Sequence, residues 1–244
     1  VAGTGDVGFT GAVGGAANGR LGTLTVTSAH DVTANAISAG ALVQTAGSGT
    51  TTLNGAVDTD TAAGVSLAGT HLAVNAGVTT TNGGGVTLNQ SGTTALSASG
   101  DINADGAVHI TAGGGISTAG DITTNGGDVT FASATTLTGP VSINTGGGTI
   151  DSNGKNIGIT SSFISSDRNA MLTKTGAGTL TLGTDNSGYL GGIQVNQGTL
   201  GLGIADTIRN ADSVTLSGSS ILDTLNSNQT LQTLSGDGGT SLLS

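Results

Sequence analysis

GDINADGAVHITAGGGISTAGDITTNGGDVTF, Gly100–Phe131, sets Ile102, Val108, Ile116 and Ile122 at short, nearly even intervals in a background of Gly, Thr, Ser, Ala and Asn. Each interval is strand-sized. A strand residue rises about 3.3 Å, so one period of about 20 residues accommodates three short strands joined by corners. Stacked at the usual inter-strand spacing of about 4.8 Å, successive periods would satisfy each other's backbone groups and superpose equivalent side chains.

The same spacing extends outward along the chain as three aliphatic ladders. The first runs Val32, Leu53, Val74, Leu96, Ile116, Leu137, Ile157, and its steps keep a nearly constant period. The second is Val43, Val65, Val86, Val108, Val129, Ile150, with steps of the same size. The third is Ile37, Val57, Val78, Ile102, Ile122, Val141, where the longer step from Val78 to Ile102 indicates a corner insertion. A period of about 20–22 residues marks a solenoid, in which an inward ladder is the hydrophobic core available to a narrow coil. Between the third ladder and the second, Thr81–Gly85, Asn103–Ala107, Thr124–Asp128 and Asn144–Gly148 supply Gly and Asn for sharp bends.

Asn-Gly and Asp-Gly pairs also suit two-residue hairpin turns, which would give an antiparallel sandwich or barrel. Hairpins do not require three stations to recur with one period. We therefore read an all-β chain, a right-handed parallel β-helix (β-solenoid) with about three short strands per coil of roughly 20–22 residues. Sustained 3.6-residue periodicity is missing, and the Gly, Thr, Ser and Asn content disfavours helices.

Composition narrows the setting. With 46 Gly, one proline and 8% charged residues, the chain is too apolar for the usual disordered class. The net charge of −10 comes from 15 Asp against five Lys and Arg, which disfavours nucleic acid and anionic membranes as partners. With no cysteine, disulfides do not hold the fold, and no apolar run of about 18 residues offers a transmembrane segment. Starting at Val1 without a signal peptide and ending at Ser244 in a strand-like pattern, the sequence reads as a piece of something longer.

A more specific pattern lies toward the C-terminus. LTKTGAGTLTLG (Leu172–Gly183) is followed by Asn186, Tyr189, Gly191 and Gly192, then by VNQGTLGLG (Val195–Gly203). This resembles the passenger-associated transport repeat of bacterial autotransporters, on Leu172, Lys174, Gly176, Gly178, Thr179, Leu180, Leu182, Tyr189, the glycine pair, Val195, Asn196 and Gly198-Thr199-Leu200. Ser213–Gly239, ending LSGDGG, is similar to the stretch that commonly follows the repeat. It departs from the pattern in one extra residue between Asn186 and Tyr189, and in Ile193-Gln194 where a Thr pair is customary. The expected organisation is a solenoid rod over 1–171, generically similar to adhesin and haemagglutinin-like β-helices, continued over 172–244 by the transport-repeat region. The resemblance implies a secreted or surface-displayed β-helix of a Gram-negative-type bacterium, and it implies no particular ligand.

Candidate chemistry is sparse. Asp101 and Asp121, one period apart, would stack on adjacent coils as an acid/base pair, a Ca²⁺ site or, as preferred here, corner residues accepting backbone N–H groups. His30, His71 and His109 show no metal-ligand spacing to each other and read as solvated surface residues, and Asp6 lies outside any calcium-binding nonapeptide pattern. Asp167-Arg168, and Arg209 with Asp206 and Asp212, read as exposed loops. Aromatics amount to Phe9, Phe131, Phe163 and Tyr189, too few for a glycan platform, with Phe131 at an inward station. No catalytic, cofactor or metal residue is assigned. The expected function is a non-enzymatic structural rod or stalk of a large secreted or surface adhesin or extracellular filament, self-associating through solenoid ends or faces. A host or cell-surface ligand is the alternative. Ice binding through outward rows such as Thr23-Thr25 and Thr179-Thr181, and polysaccharide turnover, are less favoured.

Overall fold

The computed structural model describes residues 3–15, 19–139, 141, 143–145, 149–151, 154, 156–159 and 168–243. Lys155, Phe163, Asp167 and the last three residues of the Asn144–Gly148 corner lie outside the described residues. The described elements are all strands, with no helix among them.

The chain coils as a parallel β-solenoid, and every strand pairing given by the described residues is parallel. Hairpin pairing is thereby replaced by stacking of each segment on its equivalent one coil later. On the first face seven strands stack in order, Val7–Phe9, Val32–Ala34, Thr50–Leu53, His71–Val74, Thr94–Leu96, Ile116–Thr118 and Thr135–Leu137. A five-stranded sheet follows in the same direction, from Ile157–Ile159 through Thr179–Leu182, Thr199–Leu202 and Ile221–Asp223 to Ser241–Leu243. The second and third faces belong to one 16-stranded sheet, because strand Ile37–Gln44 turns a corner and pairs with Val57–Thr59 through its first part and Val65–Gly69 through its last.

Inward and outward residues alternate as a pleated strand requires. Ile102–Ala104 is buried, exposed, buried, and Val108, Ile110 and Ala112 are buried while His109 is exposed. Burying each Leu or Ile contributes about 1.5–3 kcal/mol, and one continuous apolar cluster threads the coils from Ala34 to Leu222. Phe131 takes the inward place of Ile110 in the next coil and is fully buried.

The second ladder stacks as expected from Val65 onward, with Val65, Val86, Val108, Val129 and Ile150 in direct register. Its first member does not: Leu42, and not Val43, pairs with Val65, and Val43 faces outward beside Ser66. The pleat fixes one of two adjacent aliphatics inside this long strand, and spacing alone cannot choose between them.

The first ladder is two columns rather than one. Val7, Val32, Thr51, Leu72, Thr94, Ile116 and Thr135 form one, and Phe9, Ala34, Leu53, Val74, Leu96, Thr118 and Leu137 the other. Val32, Leu53 and Ile116 are all buried, but the aliphatic pattern hops between columns at each of these coils. The hop has a volume logic: Val32 stands beside Ala34, Thr51 beside Leu53, Thr94 beside Leu96, and Ile116 beside Thr118. In these four coils a smaller and a larger residue share the narrow cross-section, which keeps the packing close, whereas Leu72 stands beside Val74. The inward threonines carry polar groups into the core. Thr118 Oγ1 donates to Gly120 O at 3.0 Å and Thr51 Oγ1 to Gln44 Oε1 at 2.8 Å, whereas the buried Thr94 hydroxyl has no partner among the described residues.

The third ladder holds from Ile37 to Ile122, including the longer step between the paired Val78 and Ile102. Extra residues sit in the turn after Leu96, where Gly100 N donates to Ser97 O at 2.9 Å. Ile143 pairs with Ile122, so Val141, although buried, is not the stacked member.

Candidate functional site

The transport-repeat segment begins with strand Met171–Thr175, which pairs with Thr149–Asp151 behind it and Gly192–Val195 ahead. Alternation puts Leu172 and Lys174 inward. Lys174 stacks directly between Ile150 and Val195 and is fully buried. Its ammonium donates to Thr175 O at 2.5 Å, Gly176 O at 2.6 Å and Gln197 O at 3.1 Å. A buried charge requires compensation. Here it draws together the corner carbonyls of two consecutive coils, while its aliphatic stem continues the column.

Glycine in this segment is a matter of space. Gly198 has φ +75°, and a Cβ there would lie 2.4 Å from Gly178 O. At Gly191 a Cβ would lie 2.2 Å from Ala170 O. The glycine pair thus lets the chain re-enter the second face, where Gly192 N donates to Ala170 O at 2.9 Å.

Asn186 and Tyr189 form the turn that closes the coil's remaining side. Asn186 is fully buried; its Nδ2 donates to Thr184 O at 2.9 Å, and its carbonyl accepts from Tyr189 N at 2.9 Å. The Tyr189 ring joins the core, and its hydroxyl donates to Gly192 O at 2.8 Å. Burial pushes the phenol up to about 12. In the next coil Ile208, fully buried, fills the interior from the corresponding loop, and Leu231 packs against the core from the one after.

Asp101 and Asp121 do stack, and the Asp101 carboxylate accepts Asp121 N–H at 2.8 Å. Other corners use the same device: Asp31 Oδ1 accepts Thr50 N–H at 2.7 Å, and Asp128 Oδ1 accepts Thr149 N–H at 2.8 Å. Asp105 accepts from Gly83 N and from Asn125 Nδ2, and these bonds hold its carboxyl below the usual range.

His30, His71 and His109 are all exposed. His71 Nδ1 faces Thr93 Oγ1 at 2.9 Å and His109 Nε2 faces Thr111 Oγ1 at 3.2 Å. His30 differs. Its Nδ1 stands 3.3 Å from Asp6 Oδ1 and 3.4 Å from Asp31 Oδ2, an assembly that residue spacing does not reveal because Asp6 arrives from the preceding coil.

Arg209 lies 3.8 Å from Asp185, one coil away, rather than pairing with Asp206 or Asp212. The Ser187 N–H is the main cause that lowers the Asp185 carboxyl. Asp206 instead accepts Thr230 N–H at 2.8 Å. Arg20, near the other end, pairs with Asp58 at 2.7 Å and Asp60 at 3.2 Å and also donates to Ala39 O, so its guanidinium spans neighbouring coils. The hydrogen bond to Asp58 holds it above its ordinary pKa. An open polar groove of about 490 Å³ crosses the corners lined by Arg168, Leu190, Asn210, Asp212, Gln232 and Thr233.

Comparison with curated proteins and with solved structures gives no match. One family model does match, over the coil whose glycines, buried lysine and closing tyrosine are described above. Residues 172–202 match the passenger-associated-transport-repeat, and the parallel solenoid around them fits an autotransporter passenger segment.

Proposed function

We propose that this chain is a structural rod or stalk segment of a large bacterial secreted or surface adhesin or extracellular filament, displayed outside a Gram-negative-type cell. The observation that carries the reading is the use of the patterned residues: the ladders, Lys174 and the corner aspartates are spent on stacking one coil upon the next, and Asn186 and Tyr189 on closing the turn within a coil. The transport repeat supports a passenger role. The division into a rod over 1–171 and a transport-repeat region over 172–244 belongs to the same proposal.

The segment associates with its neighbours through solenoid ends or faces. The role is mechanical rather than catalytic. Electron microscopy of the concentrated chain should show elongated particles joined into longer assemblies; isolated compact particles would overturn the filament reading. Turnover of an acidic polysaccharide, abolished by Asp101→Asn or Asp121→Asn, would overturn the non-enzymatic one.

The groove between Arg168 and Thr233 favours the alternative of a ligand-binding adhesive module. Most of its side chains are polar and exposed, as in a wet recognition surface. Ice binding is disfavoured by the outward row Thr25, Val43, Ser66, Thr87, His109 and Thr130, which mixes side chains where a regular Thr array is needed. Thermal hysteresis in solution would reverse that judgement.

A further inference from the structure

We infer that Asp6, His30 and Asp31 form a binding site for a divalent first-row transition cation, for which Zn²⁺ is the probe. Parallel pairing of Val7 with Val32 sets Asp6 over Asp31, one coil apart. One ligand atom from each of the three residues falls within 4.8 Å of the others. His30 Nδ1 is 3.3 Å from Asp6 Oδ1 and 3.4 Å from Asp31 Oδ2. Such separations suit atoms sharing one cation at bond lengths of about 2.0–2.2 Å.

The ring nitrogen faces two carboxylate oxygens but carries at most one proton, so one hydrogen bond cannot serve both fully. A cation among the three atoms bonds all of them and relieves the repulsion between the two carboxylates. Asp31 is already oriented for this, because its other oxygen accepts Thr50 N–H at 2.7 Å.

Asp101 and Asp121 provide the internal contrast. Both aspartate pairs stack across one coil, and in both the later backbone N–H donates to the earlier carboxylate, at 3.1 Å for Asp31 and 2.8 Å for Asp121. The first pair adds an imidazole. One nitrogen with two carboxylates is a donor set for Zn²⁺ and its neighbours rather than for Ca²⁺, which takes oxygen. Three protein ligands on an exposed corner leave coordination positions for water or for a group from another molecule, and the net charge of −10 favours cation approach. Occupancy would fasten the first described coil to the second, so binding adds to folding stability. The site stands apart from the rod reading, and failure of either leaves the other intact.

Calorimetric titration of the full chain with ZnCl₂ near neutral pH should show one saturable equivalent. His30→Ala should weaken binding by at least about tenfold. Asp6→Asn should do the same while keeping an oxygen to accept the Asp31 N–H. His71→Ala and His109→Ala, at exposed histidines facing threonine hydroxyls, should leave the affinity unchanged. Three results would overturn the site: no saturable binding at millimolar Zn²⁺, full binding by His30→Ala, or equal loss in His71→Ala.

Discussion

The coils up to Ile159 and those from Met171 onward solve one problem in two ways. In the earlier region three sides of the coil carry strands, as in Val57–Thr59, Val65–Gly69 and His71–Val74, and each contributes stacked aliphatics. In the later region two sides carry strands, Gly192–Val195 and Thr199–Leu202 being one such pair, and a loop closes the third. The coil period is kept, since Leu180, Leu200, Leu222 and Leu242 remain in register. The loop sides are filled one plug at a time by Tyr189, Ile208 and Leu231. Strands contribute to the core through repetition. Loops do so through individually placed side chains, of which Tyr189 also brings a hydroxyl that needs a partner, which explains why the later region has the recognisable motif and the earlier one only a rhythm.

The contrast can be tested by substitution. Val108→Asp puts a charge in the strand-lined core with no partner in its column, and should cost more than about 4 kcal/mol in chemical denaturation. Near-native stability would sink the ladder assignment. Lys174→Met keeps the column filled but leaves the carbonyls of Thr175, Gly176 and Gln197 without their donor. The expected loss is about 2–4 kcal/mol, against about 1 kcal/mol or less for Ile150→Met at the preceding position of the same column. Equal losses would show that the ammonium does nothing beyond packing.

Gly198→Ala must hold a Cβ at φ +75° against a neighbouring carbonyl, and should cost about 1–3 kcal/mol by the same measurement. The smallest effect belongs to Tyr189→Phe, which removes the hydroxyl bond to Gly192 O at a cost of about 1 kcal/mol. It also has a pH signature. The buried phenol titrates at about 12 rather than its ordinary 10.0. Its contribution is therefore complete below the unfolded value and is lost as pH rises from there through the folded one. Urea midpoints measured across that alkaline window should fall less steeply in Tyr189→Phe than in the parent chain.

Much of the strand-lined region is legible in the sequence because stacking forces equivalent residues to recur, as Val65, Val86, Val108 and Val129 do. Legibility fails where the pleat offers a choice. Leu42 and Val43 are both aliphatic and adjacent, and inward Thr51 and Thr118 hide their place in the columns behind a polar name. Lys174 can be read as a motif letter, whereas its burial becomes visible only when the register puts it between Ile150 and Val195. Neither the groove around Asp212 nor the approach of Asp6 to His30 has a local sequence signal, since each depends on which residues face the same corner on successive coils.

Stacking also sets how such a rod bears load. Strands run around the coil, so the hydrogen bonds between consecutive coils lie along the axis. Tension applied at the two ends passes through every coil interface in series, and the assembly yields at its weakest single interface. Adding coils lengthens the rod without strengthening it. A clamp that bridges neighbouring coils, as Arg20 does from Ala39 to Asp58 and Asp60, raises the local threshold and moves the break elsewhere. Under force the chain would thus extend in steps of one coil, each releasing that coil's length of slack while the remaining coils stay folded.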